Sequence, residues 1–363
     1  MDRVRVGVIG LGVVGQVMHL PYLRELSDRF EIAALCDLSA GTMAAIAQQY
    51  GVRACFTDYR ELCASPDVDA VMVLTNDSHA PQAIAAASSG KHVFVEKPLC
   101  YTERQADEIL AATQAAGVRL MVGYMKRYDP GYLRAQERIA RLRDDLVYVQ
   151  INTLHPPIQM HLGHHPIVRV DDVPAERLAQ LRAETDRLTA EALGRHRPWL
   201  DHAWPNFILG SMCHDVNALR GLIGQPAEVL YADLWDGGWS IATLLRYEPD
   251  VRCYYSWTYL RDLRHYRETL SFYGNRHRLH LEFPSPFLKS TPTLVVSEGM
   301  DGDVAWEKTE LASYEEAFKQ ELIHFHECVT RGLSPRTDGE DGKRDVKLLR
   351  QIALAWPGAA EAP

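Results

Sequence analysis

The chain has 363 residues, of which 47% are hydrophobic and 24% are charged, and its formal net charge is −9. This length exceeds one ordinary hydrophobic core and predicts two domains, and the composition is typical of a soluble globular protein. The acidic balance argues against partners such as nucleic acid or an anionic membrane, and no apolar run is long enough to span a bilayer.

The cysteines point to a reducing compartment. The seven cysteines are scattered along the chain and form no C-x-x-C pair. The N terminus enters a strand directly, without the pattern of a signal peptide. We therefore expect a cytoplasmic protein without disulfides or a structural zinc.

The first third of the chain alternates apolar strands with helices. Strands are predicted over residues 5–9, 31–36, 70–74, 92–96 and 119–123, and helices over 14–26, 40–50, 81–89 and 103–116. Regular alternation of this kind predicts βαβ units and a parallel sheet. Strands that are apolar throughout fit a sheet covered on both faces. We assign residues 1–123 to this α/β domain.

The pattern changes after residue 124. A helix over 132–142 and a strand over 147–154 precede a polar, histidine-rich passage over 155–174, and helices are predicted over 175–193 and 208–222. Alternating strands follow over 229–235, 241–247, 252–259, 268–273, 278–283 and 293–296, and helices over 314–331 and 345–355. Alternation predicts an antiparallel sheet. We assign residues 124–356 to a second, α+β domain and expect a disordered tail over 357–363.

The segment Gly10-Leu11-Gly12-Val13-Val14-Gly15 matches the dinucleotide-binding pattern G-x-G-x-x-G. Gly10 would make the turn out of the strand, Gly12 would let the main chain approach the pyrophosphate, and Gly15 would let the helix pack on the sheet. The pattern follows a strand and begins a helix, as a dinucleotide site requires.

Asp37 ends the second predicted strand, 22 residues after Gly15. A carboxylate at this distance is suited to bind the adenosine ribose hydroxyls. It repels a 2′-phosphate, and Leu38-Ser39 supply no arginine for one. We therefore expect NAD as the cofactor, with NADP less favoured; a helix cap or turn is the structural alternative for Asp37.

Two further stretches carry a family resemblance: Thr75-Asn76-Asp77-Ser78-His79, and Gly90-Lys91-His92-Val93-Phe94-Val95-Glu96-Lys97-Pro98-Leu99. With the glycine motif and Arg127-Tyr128-Asp129-Pro130, they resemble the glucose–fructose oxidoreductase / inositol dehydrogenase (Gfo/Idh/MocA) family over about the first 130 residues. The resemblance implies a Rossmann domain followed by a large open, mostly antiparallel sheet that often forms dimers or tetramers. It also implies that Thr75, Asn76, His79 and Glu96 bind the cofactor, and that the substrate is a sugar, cyclitol or related polyol.

Lys97 is the first catalytic candidate. A lysine at the carboxyl end of a strand beside the cofactor can donate a hydrogen bond to a substrate oxygen and take part in proton transfer. In the family, the corresponding lysine contacts the reacting hydroxyl. Glu96 is interpreted as a residue that orients Lys97 or the nicotinamide ribose, and a surface lysine before a proline turn is the structural alternative for Lys97.

His214 is the second catalytic candidate, because imidazole can take a hydroxyl proton near neutral pH. The family helix typically reads D-x-x-x-H-x-x-D, and the matching positions here are Gly210, His214 and Asn217. Both carboxylates are therefore missing, and Asp215 is a weak substitute. This departure puts the usual polyol substrate in doubt and favours an amino sugar or nucleotide-linked sugar.

Several other residues are candidates for the substrate site: Tyr124, Arg127, His155, Asp215, Asn217 and Trp257. Trp257 can offer a face for stacking a sugar, although aromatic residues in alternating strands also form cores and interfaces. His161, His164 and His165 invite a metal interpretation, but no carboxylate or cysteine completes a set, so we expect no metal site.

These features predict an NAD(P)-dependent oxidoreductase that transfers a hydride to or from a CH–OH carbon. One alternative is an enzyme that keeps NAD tightly bound and recycles it during epimerisation or elimination. Another is a redox-inactive, NAD-responsive regulator, which the presence of both Lys97 and His214 disfavours.

Overall fold

A computed structural model describes residues 3–194 and 196–358, which form two compact units. The first unit contains residues 1–124, 165–194 and 318–347, and the second contains 125–164, 195–317 and 348–363. Residues 359–363 of the predicted tail lie outside the described residues.

The first sheet has six strands, all parallel: β1 Val4–Ile9, β2 Phe30–Cys36, β3 Ala54–Phe56, β4 Ala70–Val73, β5 His92–Glu96 and β6 Leu120–Gly123. Their spatial order is β3-β2-β1-β4-β5-β6. This is the order of a doubly wound dinucleotide-binding fold, in which the ligand crevice opens where the order reverses, between β1 and β4. The predicted Rossmann fold is confirmed, and β3, a three-residue strand, was missed.

Twelve α-helices are assigned among the described residues: α1 Leu20–Glu25, α2 Ala40–Tyr50, α3 Tyr59–Ala64, α4 Ala80–Ser88, α5 Glu103–Ala116, α6 Pro130–Leu142, α7 Gln159–Leu162, α8 Ala175–Leu193, α9 Pro198–Ala203, α10 Cys213–Ile223, α11 Ala317–Arg331 and α12 Gly339–Ala355. Predicted helices 40–50, 103–116 and 175–193 are confirmed at both ends. The short helices α3, α7 and α9 were missed, because a few residues carry little helical periodicity.

Local capping explains why several helix ends were predictable. The Thr102 hydroxyl accepts a hydrogen bond from the Gln105 amide at the start of α5 (3.2 Å), and Gly117 ends that helix with φ +65°. Polar side chains at N-caps and glycine in the left-handed region are standard helix-end signals.

The predicted helix over 14–26 is only partly α-helical. Its residues 15–19 form a π-helical segment, Gly15–His19, which leads directly into α1. A second π-helical segment, Trp204–Met212, precedes α10 within the predicted helix 208–222. The i→i+5 hydrogen bonds of a π-helix widen the turn, so Gly210, inside this segment, is not one regular α-helical turn from His214.

The second sheet has eight strands: β7 Leu146–His155, β8 Glu228–Trp235, β9 Ser240–Tyr247, β10 Val251–Tyr259, β11 Arg267–Gly274, β12 His277–Phe283, β13 Leu294–Asp301 and β14 Val304–Leu311. Their order is β14-β13-β12-β11-β7-β10-β9-β8, and every pair is antiparallel except β7 with β10. The predicted antiparallel sheet is confirmed. The edge strand β14 was missed, because nearly all of its side chains are exposed and it lacks an apolar face.

The division into units differs from the predicted boundaries in two places, since residues 165–194 and 318–347 belong to the first unit. Arg104 on α5 makes two hydrogen bonds to Glu191 on α8, at 2.7 and 3.0 Å. The Val122 amide donates to the Thr337 carbonyl at 2.8 Å. These contacts join segments far apart in the chain, which sequence patterns do not record.

No helix formed by the described residues is long and apolar enough to cross a membrane.

Large exposed side chains on the second sheet include Tyr231, Tyr254 and Met300, each about half exposed at 51%, 54% and 51%. The expected homodimer or homotetramer through this sheet stays a prediction.

Candidate functional site

The glycine turn after β1 depends on the absence of side chains. Gly10 has φ +92°, and a Cβ there would lie 2.8 Å from both the carbonyl carbon of Leu74 and the amide nitrogen of Thr75. At Gly12, by contrast, the nearest atom to a Cβ would be the Asn76 side-chain nitrogen at 3.7 Å. The turn is thus packed against the chain after β4 on one side and open above Gly12.

The open part of this turn fits a pyrophosphate. Gly12, Val13 and Val14 are half-buried, and Gly15 is buried, where a Cβ would lie 3.2 Å from the Gly10 carbonyl oxygen. Val13 and Val14 form the first helical turn before the π-helical segment. The first amides of a helix have no internal acceptors and can bind an anion.

Asp37 is fixed at the end of β2. Its Oδ2 accepts a hydrogen bond from the Leu11 amide at 2.7 Å, and its Oδ1 accepts one from the Ser39 amide at 2.8 Å. The half-buried carboxylate thus lies directly beside the glycine turn. Each oxygen keeps a further acceptor direction, which suits ribose hydroxyls.

His79 supports the neighbouring loop. It is 1% exposed, and its ring nitrogens lie 2.9 Å from the Thr75 carbonyl oxygen and 2.6 Å from the Pro98 carbonyl oxygen. His79 therefore acts on the loop through these two residues. Thr75 is half-buried, and Asn76 is exposed.

Lys97 follows β5 and is half-buried. Its amide donates to Glu96 Oε2 at 3.0 Å, and Glu96 Oε1 lies 2.7 Å from His19 Nε2. Burial alone would raise the pKa of Glu96, but the hydrogen bond from His19 lowers it below its usual range. Glu96 thus accepts a hydrogen bond from the Lys97 main chain, and its role as an orienting residue stays a prediction.

A third side chain joins this buried pair. Glu321 on α11 is 0% exposed, and ligand-type atoms of His19, Glu96 and Glu321 lie within 4.8 Å of one another. We expected no metal site, and this grouping was invisible in sequence. Burial, and then the charge of Glu96, raises the pKa of Glu321 well above its usual range. The 2.7 Å contact between His19 and Glu96 has the length of a hydrogen bond, whereas two ligand atoms of one zinc ion lie about 3.4 Å apart.

The second unit contains a separate buried charge cluster. Lys126, in the 3₁₀ turn Met125–Tyr128, donates to Asp215 Oδ1 at 3.0 Å and also to Glu268. Asp215 Oδ2 accepts from the Thr153 and Tyr255 hydroxyls at 2.8 and 2.7 Å. Tyr266 donates to Glu268. We name these six residues the lysine cluster: Lys126, Thr153, Asp215, Tyr255, Tyr266 and Glu268.

The lysine cluster holds one positive and one negative charge. Burial would lower the pKa of Lys126, but Asp215 and Glu268 raise it above its usual range. Burial would raise the pKa of Asp215, but the charge of Lys126 lowers it. Glu268 is the remaining carboxyl, and burial together with the charge of Asp215 raises its pKa to about 8. Sequence reasoning missed Glu268, Tyr255, Tyr266 and Thr153, because they meet Lys126 or Asp215 only through long-range pairing of strands with α10.

Most substrate candidates of the second unit are buried in its core. Asp215 and Asn217 are 1% and 0% exposed, and Arg127, at 8%, donates to the Asn217 side-chain oxygen at 3.3 Å. Trp257 is 3% exposed and stacks on Phe207 with 4.7 Å between ring centroids. Its interpretation as a core residue is therefore favoured over a sugar-stacking face. Tyr124, in the first unit, is 1% exposed.

The two histidine candidates, His214 and His155, are half-buried, unlike the buried substrate candidates. His214 is half-buried on α10, directly after the π-helical segment. His155 stacks on Trp257 at 5.3 Å, and burial lowers its pKa to about 4, so it is neutral at pH 7. The lysine cluster fixes the neighbour of His214 and thereby the start of α10.

Comparison with known proteins identifies the fold of the first unit. Residues 4–124 match the model of the oxidoreductase family with an NAD-binding Rossmann fold (Gfo/Idh/MocA). Over these residues, about a third of the chain, the protein is similar to the Gfo/Idh/MocA family. The match agrees with the glycine turn, Asp37 and the Lys97 turn described above.

Relatives extend the comparison along the chain. An inositol 2-dehydrogenase of Salmonella paratyphi B is 35% identical over 138 residues, which are 37% of this chain and 41% of that protein. The chain thus aligns with about two fifths of that relative's length. A myo-inositol 2-dehydrogenase of Thermotoga maritima is 25% identical over 95% of this chain and 93% of its own. The crystal structure of a 3-ketoreductase from Actinomadura kijaniata, in complex with NADP and TDP-benzene, shares the fold over 98% of both chains, with a TM-score of 0.73 and 21% identity.

The raised pKa of Glu268 predicts a pH dependence of stability. The folded chain holds a proton on Glu268 that the unfolded chain releases near pH 4.5, so stability is lost as the pH rises from about 4.5 to about 8. Glu268→Gln removes this titration, and the midpoint of urea unfolding of the second unit should vary less over that range than in the wild type. Glu282→Gln, on the neighbouring strand, is the matched control, and equal pH dependence in all three proteins would contradict a protonated Glu268.

Proposed function

We propose that this chain is an NAD-dependent oxidoreductase that transfers a hydride between the nicotinamide and a hydroxyl or keto carbon of a sugar or cyclitol. The observation that carries the proposal is the glycine turn, which lies at the reversal of strand order with Asp37 hydrogen-bonded to Leu11. This is where doubly wound sheets bind dinucleotides. The relatives named inositol 2-dehydrogenase support a polyhydroxylated substrate.

Different residues of the first unit would bind different parts of the cofactor. The amides of Val13 and Val14 would bind the pyrophosphate, and Asp37 would bind the adenosine ribose. Thr75 and Asn76 line the same crevice after β4, and His79 holds that loop. The nicotinamide, when bound, supplies the redox chemistry, and the protein supplies orientation.

Lys97 and His214 are the proposed proton-handling residues. The Lys97 ammonium donates a hydrogen bond to the reacting oxygen, while Glu96 holds its main chain in place. His214 accepts or returns the hydroxyl proton, as imidazole does near neutral pH. The lysine cluster is too deeply buried to touch substrate, so we assign Lys126, Asp215 and Glu268 to positioning α10.

The position of Gly210 bears on the substrate. Family helices place a carboxylate there, and this chain has none, which we propose disfavours simple inositols and favours a modified sugar such as an amino sugar or nucleotide-linked sugar. A Cβ at Gly210 would have the Pro205 carbonyl oxygen at 3.5 Å as its nearest atom. This is an ordinary van der Waals distance, so the local structure can accept a side chain at this position.

Turnover of NAD⁺ with a panel of sugars, amino sugars, nucleotide sugars and cyclitols tests the proposal. We expect released NADH with at least one of them, and Lys97→Ala should lower kcat by about a hundredfold or more, the scale of a positioned acid–base group. NAD⁺ binding should change little. Lys343→Ala, which removes a half-buried lysine paired with Asp107, should behave like the wild type. Normal turnover in Lys97→Ala would reject the assigned role. Product formed without released NADH would instead favour the enzyme with recycled NAD.

The proposed role of His214 and the missing carboxylate can be tested together. His214→Gln should retain substrate binding and lose most of kcat, because glutamine cannot take up the proton. Gly210→Asp should raise the initially low activity on myo-inositol, since it restores an acceptor for a substrate hydroxyl. High wild-type activity on myo-inositol, or full activity of His214→Gln, would contradict this assignment.

A further inference from the structure

Residues 168–172, which we call the strap, lie along the adenosine side of the dinucleotide crevice within the first unit. Gln16, directly after the glycine turn, donates to the Val168 carbonyl at 2.9 Å and accepts from the Val168 amide at 2.8 Å. Two residues on, the Val170 amide donates to the Thr42 hydroxyl at 3.1 Å. The strap lies in the polar passage over residues 155–174, and it is bonded to the segments that follow β1 and β2.

The strap ends on the N terminus of α2. The Gly41 amide donates to Asp172 Oδ2 at 2.6 Å, and Ser39, the N-cap residue, also bonds this carboxylate and lowers its pKa. The Thr42 amide is already bonded to the Ser39 hydroxyl at 3.0 Å. Two amides at this helix N terminus are therefore occupied by groups of the chain itself.

This helix terminus is where the two nicotinamide cofactors differ. The acidic residue at the end of β2 binds the ribose 2′-hydroxyl of NAD, and NADP carries a phosphate on that oxygen. A phosphate beside residues 37–41 would be drawn to the free amides and dipole of α2. Here Asp172 already holds the Gly41 amide, and its charge adds to that of Asp37.

We propose that Asp172 is a second determinant of cofactor specificity, which excludes the 2′-phosphate of NADP by occupying the N terminus of α2 and by charge repulsion. The inference rests on the proposed binding of a nicotinamide dinucleotide. Asp37 reads the ribose hydroxyl directly, whereas Asp172 blocks the neighbouring anion position.

The strap also carries Arg169, and an arginine is what NADP-binding folds use to hold the phosphate. The residue that bonds α2 is nevertheless the carboxylate of Asp172, and Asp171 adds another negative charge beside it. The three charged residues of the strap sum to −1. The opposing result of the experiment would be NADP⁺ binding that depends on Arg169.

The experiment measures the dissociation constants of NAD⁺ and NADP⁺ by calorimetry for the wild type and for Asp172→Ala, Asp172→Asn and Asp171→Asn. We expect the wild type to bind NADP⁺ much more weakly than NAD⁺, and Asp172→Ala to bind NADP⁺ about tenfold more tightly or better, since close charges are worth at least that factor near a protein surface. NAD⁺ affinity should stay within about twofold. Asp172→Asn keeps an oxygen for the Gly41 amide and loses the charge, so it should gain less than Asp172→Ala.

The controls separate this inference from the proposed function. Asp171→Asn removes a neighbouring charge but leaves the bond of Asp172 to Gly41, so it should tighten NADP⁺ binding less than Asp172→Ala does. Asp37→Ala with Leu38→Arg should shift preference toward NADP⁺ by the direct route. Raising the salt concentration should reduce the gain in Asp172→Asn, because screening weakens exposed charges.

Several results would overturn the role of Asp172. These are an unchanged NADP⁺ constant in Asp172→Ala, equal weakening of both cofactors, or tight NADP⁺ binding that Arg169→Ala abolishes. A wild type that binds NAD⁺ while Asp172→Ala leaves NADP⁺ unchanged would reject this inference alone. A wild type that binds neither cofactor would reject the proposed function with it.

Discussion

The dinucleotide crevice depends on Gly10, where the turn after β1 packs directly against the main chain that follows β4. A Cβ at Gly10 would lie only 2.8 Å from that segment, so the contact requires glycine. That contact closes one side of the crevice and leaves the space above Gly12 open. Parallel strands end at the same edge of a sheet, so the residues that follow β4, β5 and β6 lie at the same edge as this turn. They include Thr75, Lys97 and Tyr124, of which Tyr124 is buried and Lys97 is not fully so.

Each unit contains a buried cluster with two carboxyl groups whose pKa values shift in opposite directions. In the first unit, Glu96 is charged and Glu321 has a raised pKa. In the second unit, Asp215 is charged and Glu268 has a raised pKa. A second ionised carboxylate in either cluster would face a large desolvation cost without a matching cation. The lysine cluster, in which Lys126 is the cation, is therefore close to neutral, and it bonds Asp215 near the start of α10.

Sequence reasoning succeeded where the signal is local. The glycine pattern, Asp37 at its fixed distance and the apolar strands need only neighbouring residues, and the Rossmann fold follows from them. It failed where partners are distant, since Lys126 and Glu268 are 142 residues apart. Trp257 illustrates a different limit: its alternating strand position was read correctly, but only packing against Phe207 shows that the ring is covered. The π-helical segments also escaped, because their side-chain periodicity resembles that of an α-helix over a few residues.

The strap is attached to the proposed dinucleotide site mainly by main-chain hydrogen bonds to residues distant in sequence. Val168 and Val170 are held through their main-chain amides and carbonyls, at 152 and 128 residues from their partners Gln16 and Thr42. Main-chain hydrogen bonds do not depend on the identity of the side chain, so these bonds are available to most residues at the two positions. The Asp172 side chain, by contrast, accepts a hydrogen bond from the main chain of α2. Under the proposed role of Asp172, cofactor preference would depend on one exposed position, separate from the buried strands and the glycine turn of the proposed dinucleotide site.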